Sequence, residues 1–410
     1  MCTKCILWML IACNIYSQSD LDIFGFAQIR AKHRSFERSG YFMAPPPPGF
    51  QDPQKVVISQ SLEEKNVTLQ ILSLFFRKEF KNDYTFFLNT EFTNSYSSGE
   101  KWGNFSIAEL WIRKEYSSSF NYKIGLLVPR FNQMNEVKNR MPFIPYIERP
   151  LVYESSLAFF INFEDYIPER AFLQFDGSFF KDNLIFDYAL YIGDSEFSSF
   201  GQSEDGLTPS GNDLTTNLLF GGRFGIEYKE LKLGVSGTYD KDNRNITEPL
   251  YDYGLDTPLG KYVPRYRLGI DFMYRYGKFS LIGEYIDIQH DDNTPNLKID
   301  KSFYFYTLQY DLNQKWFGYY NFSHIEGQHF SQGGGGNDMY KIGGGYRILD
   351  NMILKFAYSF IKNADPISPV HIPDGPPLKP GDPLPTKWQT VTGEENSKTK
   401  QIHFAISVMF

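Results

Sequence analysis

The sequence predicts an all-β fold, a transmembrane antiparallel β-barrel of about 16 strands with a long third loop folded inward. Three observations predict it. Apolar and polar residues alternate with period two over stretches of about ten residues, the length a tilted strand needs to cross a bilayer. The links between these stretches alternate between short turns and longer loops. The last stretch, Lys400 to Phe410, is an alternating strand.

Composition fits such a wall. Aromatic residues make up 17% of the chain, with 38 Phe and 28 Tyr, while 22% of residues are charged. One strand can hold both classes when one row faces lipid and the other faces a polar interior. No stretch beyond the N-terminal segment approaches the roughly 20 apolar residues a membrane helix needs. The longest central run, Leu157 to Phe163, contains Asn162. The net charge of -7 is evenly spread, which argues against a nucleic-acid partner.

Residues 1-17 read as a signal peptide. Lys4 precedes an apolar stretch from Cys5 to Cys13, and cleavage after Ser17 would leave Gln18 first, with 18-410 forming the barrel. Leu10-Ile11-Ala12-Cys13 offers a lipoprotein box as the alternative, with Cys13 acylated. All three cysteines lie in this segment, so 18-410 holds neither disulfide nor thiolate site.

The period-two reading gives strands near 22-33, 66-78, 83-94, 104-116, 120-128, 170-180, 184-193, 214-228, 231-240, 265-276, 278-288, 300-312, 315-324, 338-348, 352-362 and 400-410. The pattern is clearest where Tyr266, Leu268, Ile270, Phe272, Tyr274 and Tyr276 alternate with Arg265, Arg267, Gly269, Asp271, Met273 and Arg275. Only the first row can face lipid, because a basic side chain there costs roughly 2–4 kcal/mol at mid-depth. Two stretches are irregular: 66-78 is apolar on both rows, and 278-288 switches phase near Ile282. Aromatics at strand ends, such as Tyr84, Trp316 and Phe410, suit the membrane interfaces.

A seventeenth strand at Ser155 to Phe163 would break the alternation of turns and loops. Residues 129-169 are therefore assigned to one long loop, folded inward as a constriction, with a flap outside the barrel as the alternative. The segments after Phe36 and over 363-399 are Pro-rich and read as extended external loops.

The row Ile402, Phe404, Ile406, Val408 and Phe410 must pair with the first strand near Ile23 to Ala31, because an open edge in hydrocarbon leaves backbone groups unsatisfied. An apolar row ending on an aromatic residue also reads as a membrane-assembly signal for the barrel-assembly machinery, carried by Phe404, Ile406, Val408 and Phe410.

Glu109-Leu110-Trp111-Ile112-Arg113, Tyr122-Lys123-Ile124-Gly125-Leu126, Pro145-Tyr146-Ile147-Glu148-Arg149-Pro150 and Leu173-Gln174-Phe175-Asp176-Gly177 resemble the phosphate-selective porin family over roughly residues 104 to 195. The resemblance implies a 16-stranded outer-membrane barrel in a Gram-negative bacterium, often a homotrimer, with an inward third loop and basic residues that select anions. Placed by position, the constriction and anion-binding candidates are Arg130, Arg140 and Arg149 in the loop and Arg113, Arg223, Arg267 and Lys341 on the wall. Glu91, Glu109, Glu115, Asp176, Asp187, Glu227, Asp271 and Asp311 are interleaved with the basic residues. The wall charges could therefore pair with one another instead of forming an anion ladder.

The six histidines show no pair at metal-ligand spacing, so no metal or other cofactor is expected. Gly333 to Gly336 lacks the Lys-Ser or Lys-Thr of a phosphate loop. Ser323-His324 is the only adjacent pair that could suggest an acyl hydrolase, and neighbouring strand residues point to opposite faces. The expected function is passive diffusion of small hydrophilic solutes or ions, with outer-membrane lipid as the surrounding partner. The alternatives are a loop-plugged barrel acting as adhesin, receptor or secretion component, and an outer-membrane phospholipase.

Overall fold

The computed structural model describes residues 21–44, 54–93, 104–154, 166–168, 170–194, 217–242, 263–290, 299–327, 335–373 and 388–410. Residues 1-17, Cys13, the run Leu157 to Phe163 and Gly333 to Gly334 lie outside them.

Sixteen antiparallel strands close into one barrel in which each pairs with its sequence neighbours and the last pairs with the first. They are β1 (Leu21–Ala44), β2 (Gln54–Phe80), β3 (Tyr84–Thr93), β4 (Asn104–Ser117), β5 (Phe120–Leu127), β6 (Ala171–Lys181), β7 (Leu184–Asp194) and β8 (Leu218–Tyr228). The second half comprises β9 (Leu231–Asp242), β10 (Val263–Tyr276), β11 (Phe279–His290), β12 (Ile299–Asp311), β13 (Trp316–Gly327), β14 (Gly335–Leu349), β15 (Met352–Pro373) and β16 (Trp388–Met409).

Exposure follows the period-two rows. On β10 the outer row Tyr266, Leu268, Ile270, Tyr274 and Tyr276 is exposed, while Arg265, Arg267, Asp271 and Met273 are buried on the interior side. The short turns carry residues suited to them: Asn82, Asp83, Asp182, Lys229 and Gly277 take positive φ, as tight hairpins require.

Closure is built as the sequence requires. β1 pairs β16 from Phe26↔Met409 to Tyr41↔Glu394, and Gly25 and Phe410 exchange backbone hydrogen bonds of 2.8 and 3.0 Å. Gly25 permits this approach, since a Cβ there would lie 2.4 Å from the Ser73 carbonyl and 3.1 Å from the Phe410 ring.

Three expectations are corrected. β1, β2, β15 and β16 run 24, 27, 22 and 22 residues, well beyond the stretches that cross the bilayer. Much of 363-399 is therefore paired, from Asn363↔Ser397 out to Pro373↔Trp388. The ladder absorbs Pro366, which has no N–H to give, in a bulge where Pro366 and Ile367 face Glu394 alone. The mixed rows of 66-78 come from a second bulge: Gln28 pairs Ile71 and Ile29 pairs Leu69, so Gln70 is the extra residue and the row changes side there.

β11 has no phase switch. Its registers with β10 and β12 are continuous, and Ile286 and Ile288 stay on the interior row, fully buried. β5 pairs β6 directly, so no further strand enters the wall between them.

Candidate functional site

The interior rows divide into two unlike arcs. From β11 to β15 the row includes Ile286, Ile288, Phe303, Phe305, Phe317, Tyr319, Ile325, Met339, Ile353 and Ile361, all buried. These residues form one apolar cluster with Phe131, Met134, Met141, Ile144, Tyr146, Leu151, Val152 and Tyr153 from the segment after β5. That segment contains a short helix α1 (Asn132–Val137) and two 3-10 turns, Met141–Phe143 and Leu151–Tyr153. Its prolines, Pro142, Pro145 and Pro150, keep it from forming longer regular structure.

Polar contacts fix the same segment around the barrel. Near its start, the Asn132 N–H donates to Ser236 Oγ on β9 at 3.0 Å, and Gly269 leaves the space that the Asn132 side chain fills. The Met134 N–H and the Tyr153 hydroxyl both donate to Glu284 on β11, each at 2.6 Å. Tyr146 Oη meets Thr307 Oγ1 on β12 at 2.6 Å and packs edge-on against Tyr319. Lys355 Nζ donates to the carbonyls of Met141, Ile144 and Tyr146 at 2.7, 2.8 and 3.3 Å. Such donation satisfies both a buried ammonium and the carbonyls of an irregular buried backbone.

Glu148 is the buried carboxylate of this arrangement. Its oxygens lie 3.2 Å from His403 Nε2 and 3.9 Å from Arg30 Nη1, and Ser359 Oγ donates at 3.3 Å. The Gln401 amide also faces Glu148, and with its O and N exchanged to suit the carboxylate it donates at 2.7 and 3.1 Å. Burial alone would raise the Glu148 carboxyl, but His403, with Lys341 and Arg30 behind it, outweighs burial and holds it well below the usual carboxylate range.

From β4 to β10 the interior row is charged. Arg223 on β8 bridges Asp187 on β7, at 2.6 Å, and Asp271 on β10, at 2.8 and 3.0 Å. Arg113 lies 3.3 Å from Glu115 and 3.5 Å from Asp176, and Lys232 lies 2.6 Å from Glu227. A cavity of about 650 Å³ opens between β4, β5, β6 and α1, lined by Arg113, Lys123, Arg130, Glu136 and Asp176 among others.

The seven basic candidates do not converge on one point. Arg113, Arg130 and Arg223 lie on the charged arc, with Arg130 paired to Glu136 at 3.0 Å. Arg149 pairs with Glu154 at 3.5 Å and also donates to the Lys138 carbonyl at 3.1 Å. Arg267 is buried 3.7 Å from Asp240, whose carboxylate also takes Arg265 in a bidentate pair. Lys341 donates to the carbonyls of Glu148 and Arg149 and so belongs to the docked segment. Arg140 is exposed.

Lys123, not among those candidates, has no carboxylate within contact distance among the described residues and sits 5.1 Å from the Trp111 ring centroid. The period-two rows put Lys123 and Lys355 on the interior side without marking either as a candidate, and Glu148, Glu284 and Gln70 have no signal of their own in the sequence. The available signal was the set of apolar residues on rows opposite the lipid face, such as Ile286, Ile288, Phe303 and Phe305, which require an apolar partner inside the wall.

Ser323 is buried on the interior row and donates to Asn321 Oδ1 at 3.3 Å, while His324 lies on the other row, 2.7 Å from Asp338. The two side chains therefore do not meet. Among the described residues, no group of three or more His, Cys, Asp or Glu is placed to hold a metal ion.

Comparison with known proteins gives one family. Residues 197–366 match the sequence model of the Gram-negative porin family. This match does not overlap the region that carries the resemblance to phosphate-selective porins, so that subtype gains nothing from it. No curated protein matches by sequence.

Among solved structures, an anion-selective porin from Comamonas acidovorans superposes with a TM-score of 0.53 at 11% identity, covering 96% of this chain and 100% of that one. OmpF of Salmonella typhi, in complex with daunomycin, gives 0.52 at 12% identity, covering 96% and 98%. A loop-deletion mutant of OmpT, an outer membrane protein of Vibrio cholerae, gives 0.51 at 12% identity, covering 96% and 100%. The chain has the fold of these outer-membrane barrels.

Proposed function

We propose that the chain is an outer-membrane porin through which small hydrophilic solutes or ions diffuse, and that 129–169 folds into the barrel as its constriction. The observation that carries this reading is the asymmetric interior. The segment after β5 is packed and hydrogen-bonded against the arc from β11 to β16 and β1, and the arc from β4 to β10 keeps a charged, polar face. A charged interior row suits water and ions, because an apolar one would dewet.

Charge selectivity is expected to be weak and toward anions. Five of the proposed arginines, Arg113, Arg130, Arg149, Arg223 and Arg267, face carboxylates within contact distance. Lys123 and Arg140 are therefore the cations best placed to bias the current. Phosphate preference and trimeric assembly, implied by the resemblance over 104–195, belong to the same proposal. Phosphate block of chloride current and sedimentation of the detergent-solubilised protein test them.

The decisive experiment is planar-bilayer conductance of the purified full chain, with reversal potentials in asymmetric KCl. Steady ion current with mild anion preference is expected. Absence of current and of liposome swelling would overturn the porin reading and favour a barrel closed by its own loop, acting as adhesin, receptor or secretion component. The large apolar cluster between loop and wall is the observation on that side.

A further inference from the structure

The β1–β16 pair differs from every other pair of neighbours in the barrel, since no turn or loop joins its two strands. All other neighbours are held close by the chain itself, whereas this seam brings together residues such as Ser407 and Gln28, 379 positions apart. Closing so long a loop has an entropic cost that the seam's own contacts must offset.

Those contacts include two adjacent residues of the docked segment. Ser407 Oγ on β16 donates to Gln28 Oε1 on β1 at 2.6 Å, Gln28 Nε2 donates to Gln70 Oε1 on β2 at 2.8 Å, and Gln70 Nε2 donates to the Ile147 carbonyl at 3.1 Å. Gln70 is the bulged residue of β2, which explains why it can reach inward beside Ile71. The next residue, Glu148, takes Ser359 of β15, Gln401 and His403 of β16, and Arg30 of β1. Ile147 and Glu148 thus touch all four strands around the seam from inside.

The other anchors of the segment are different. Tyr146 binds Thr307 on β12, and Met134 and Tyr153 bind Glu284 on β11, a strand already tied to its neighbours by short connections. They hold the segment to the wall without bridging the first and last strands.

We propose that Ile147 and Glu148 form a staple across the closing seam, so that docking of this segment and closure of the barrel are one cooperative event. Glu148 acts here as a positioning residue for β1 and β16 as well as for its own loop. This does not rest on the channel reading and holds for a conducting or a plugged barrel.

Hydrogen–deuterium exchange on the full chain in detergent micelles tests it, comparing the native chain with Glu148→Gln, Gln70→Ala and Thr307→Val. Glu148→Gln should speed exchange in β1 and β16 about tenfold, while β6 to β8 stay unchanged. Gln70→Ala should produce a smaller change in the same strands, and it carries the test if Glu148→Gln does not fold. Thr307→Val should leave β1 and β16 as they were. A cross-seam disulfide through Ala31→Cys and Phe404→Cys, residues paired directly, should abolish the Glu148→Gln effect. Faster exchange confined to 141–154, or spread equally over all strands, would overturn the proposal.

Discussion

The two arcs of the interior wall share one backbone pattern, but only one of them carries a large apolar cluster. From β11 to β15 the interior row mixes Ile, Phe and Tyr residues with buried polar groups such as Glu284, Thr307, Lys341 and Lys355, and the segment after β5 packs on it, whereas from β4 to β10 it holds Arg113, Lys123, Asp176, Asp187, Arg223, Glu227, Lys232 and Asp271. In a membrane barrel the lipid-facing row must be apolar everywhere, so only the interior row is free to vary. Its apolar residues gather where the segment after β5 packs on it, and the charged residues between β4 and β10 pair largely with one another.

The comparison breaks most visibly if the covered arc is made polar. Phe305 is buried between strand and loop, edge-on to Tyr153 at 6.3 Å. Phe305→Asp should cost more than the roughly 3–5 kcal/mol of a Phe truncation, because an unpaired charge is added to the cavity. Heat-induced gel mobility should show a lower unfolding temperature, and any current should become larger and noisier as the loop detaches.

A change on the charged arc should be milder for the fold and stronger for selectivity. Arg223→Gln leaves Asp187 and Asp271 without their shared cation, and breaking such a pair costs about 3 kcal/mol. The reversal potential should move toward cations.

At the seam, Gly25→Val places a Cβ against the Ser73 carbonyl and the Phe410 ring, an overpacking worth about 1–3 kcal/mol. It should lower refolding yield without altering selectivity. Acid should act on the covered arc through Glu148. Its folded-state carboxyl is held below the ordinary 4.5, so the stability it supplies is fully present above that value and is lost only as pH falls below it. Acid unfolding between pH 5 and pH 2 should therefore be steeper in the native chain than in Glu148→Gln.

The smallest effect is expected from Lys123→Gln. With no carboxylate in contact among the described residues, it should leave stability unchanged and shift only the reversal potential.

The barrel itself was legible in the sequence because its rule is local. Period two, turn residues and the need to close gave sixteen strands and the pairing of Lys400 to Phe410 with Ile23 to Ala31. The extra length of β1, β2, β15 and β16 was not legible, since outside the bilayer a ladder needs no apolar row. The interior was read only in part. Arg113 and Arg223 lie on the interior row, but Asp176, Asp187 and Asp271 reach them from other strands, and register decides which charges meet. Ile286 and Ile288 looked like a change of phase because the rule assumed a polar interior, and their true partner lies more than a hundred residues earlier in the chain.

Ile288 lies in the apolar cluster under the segment after β5, whereas Lys123 lines the cavity beside Arg113 and Asp176. Single-channel recording with cysteine probes tests this contrast most directly, using chains in which Cys2, Cys5 and Cys13 are replaced by Ser and one cysteine is placed at position 123 or 288. A charged methanethiosulfonate reagent should react at 123 and change the current within seconds, and should leave the chain with Ile288→Cys unmodified. Rapid reaction at 288, or none at 123, would contradict the account.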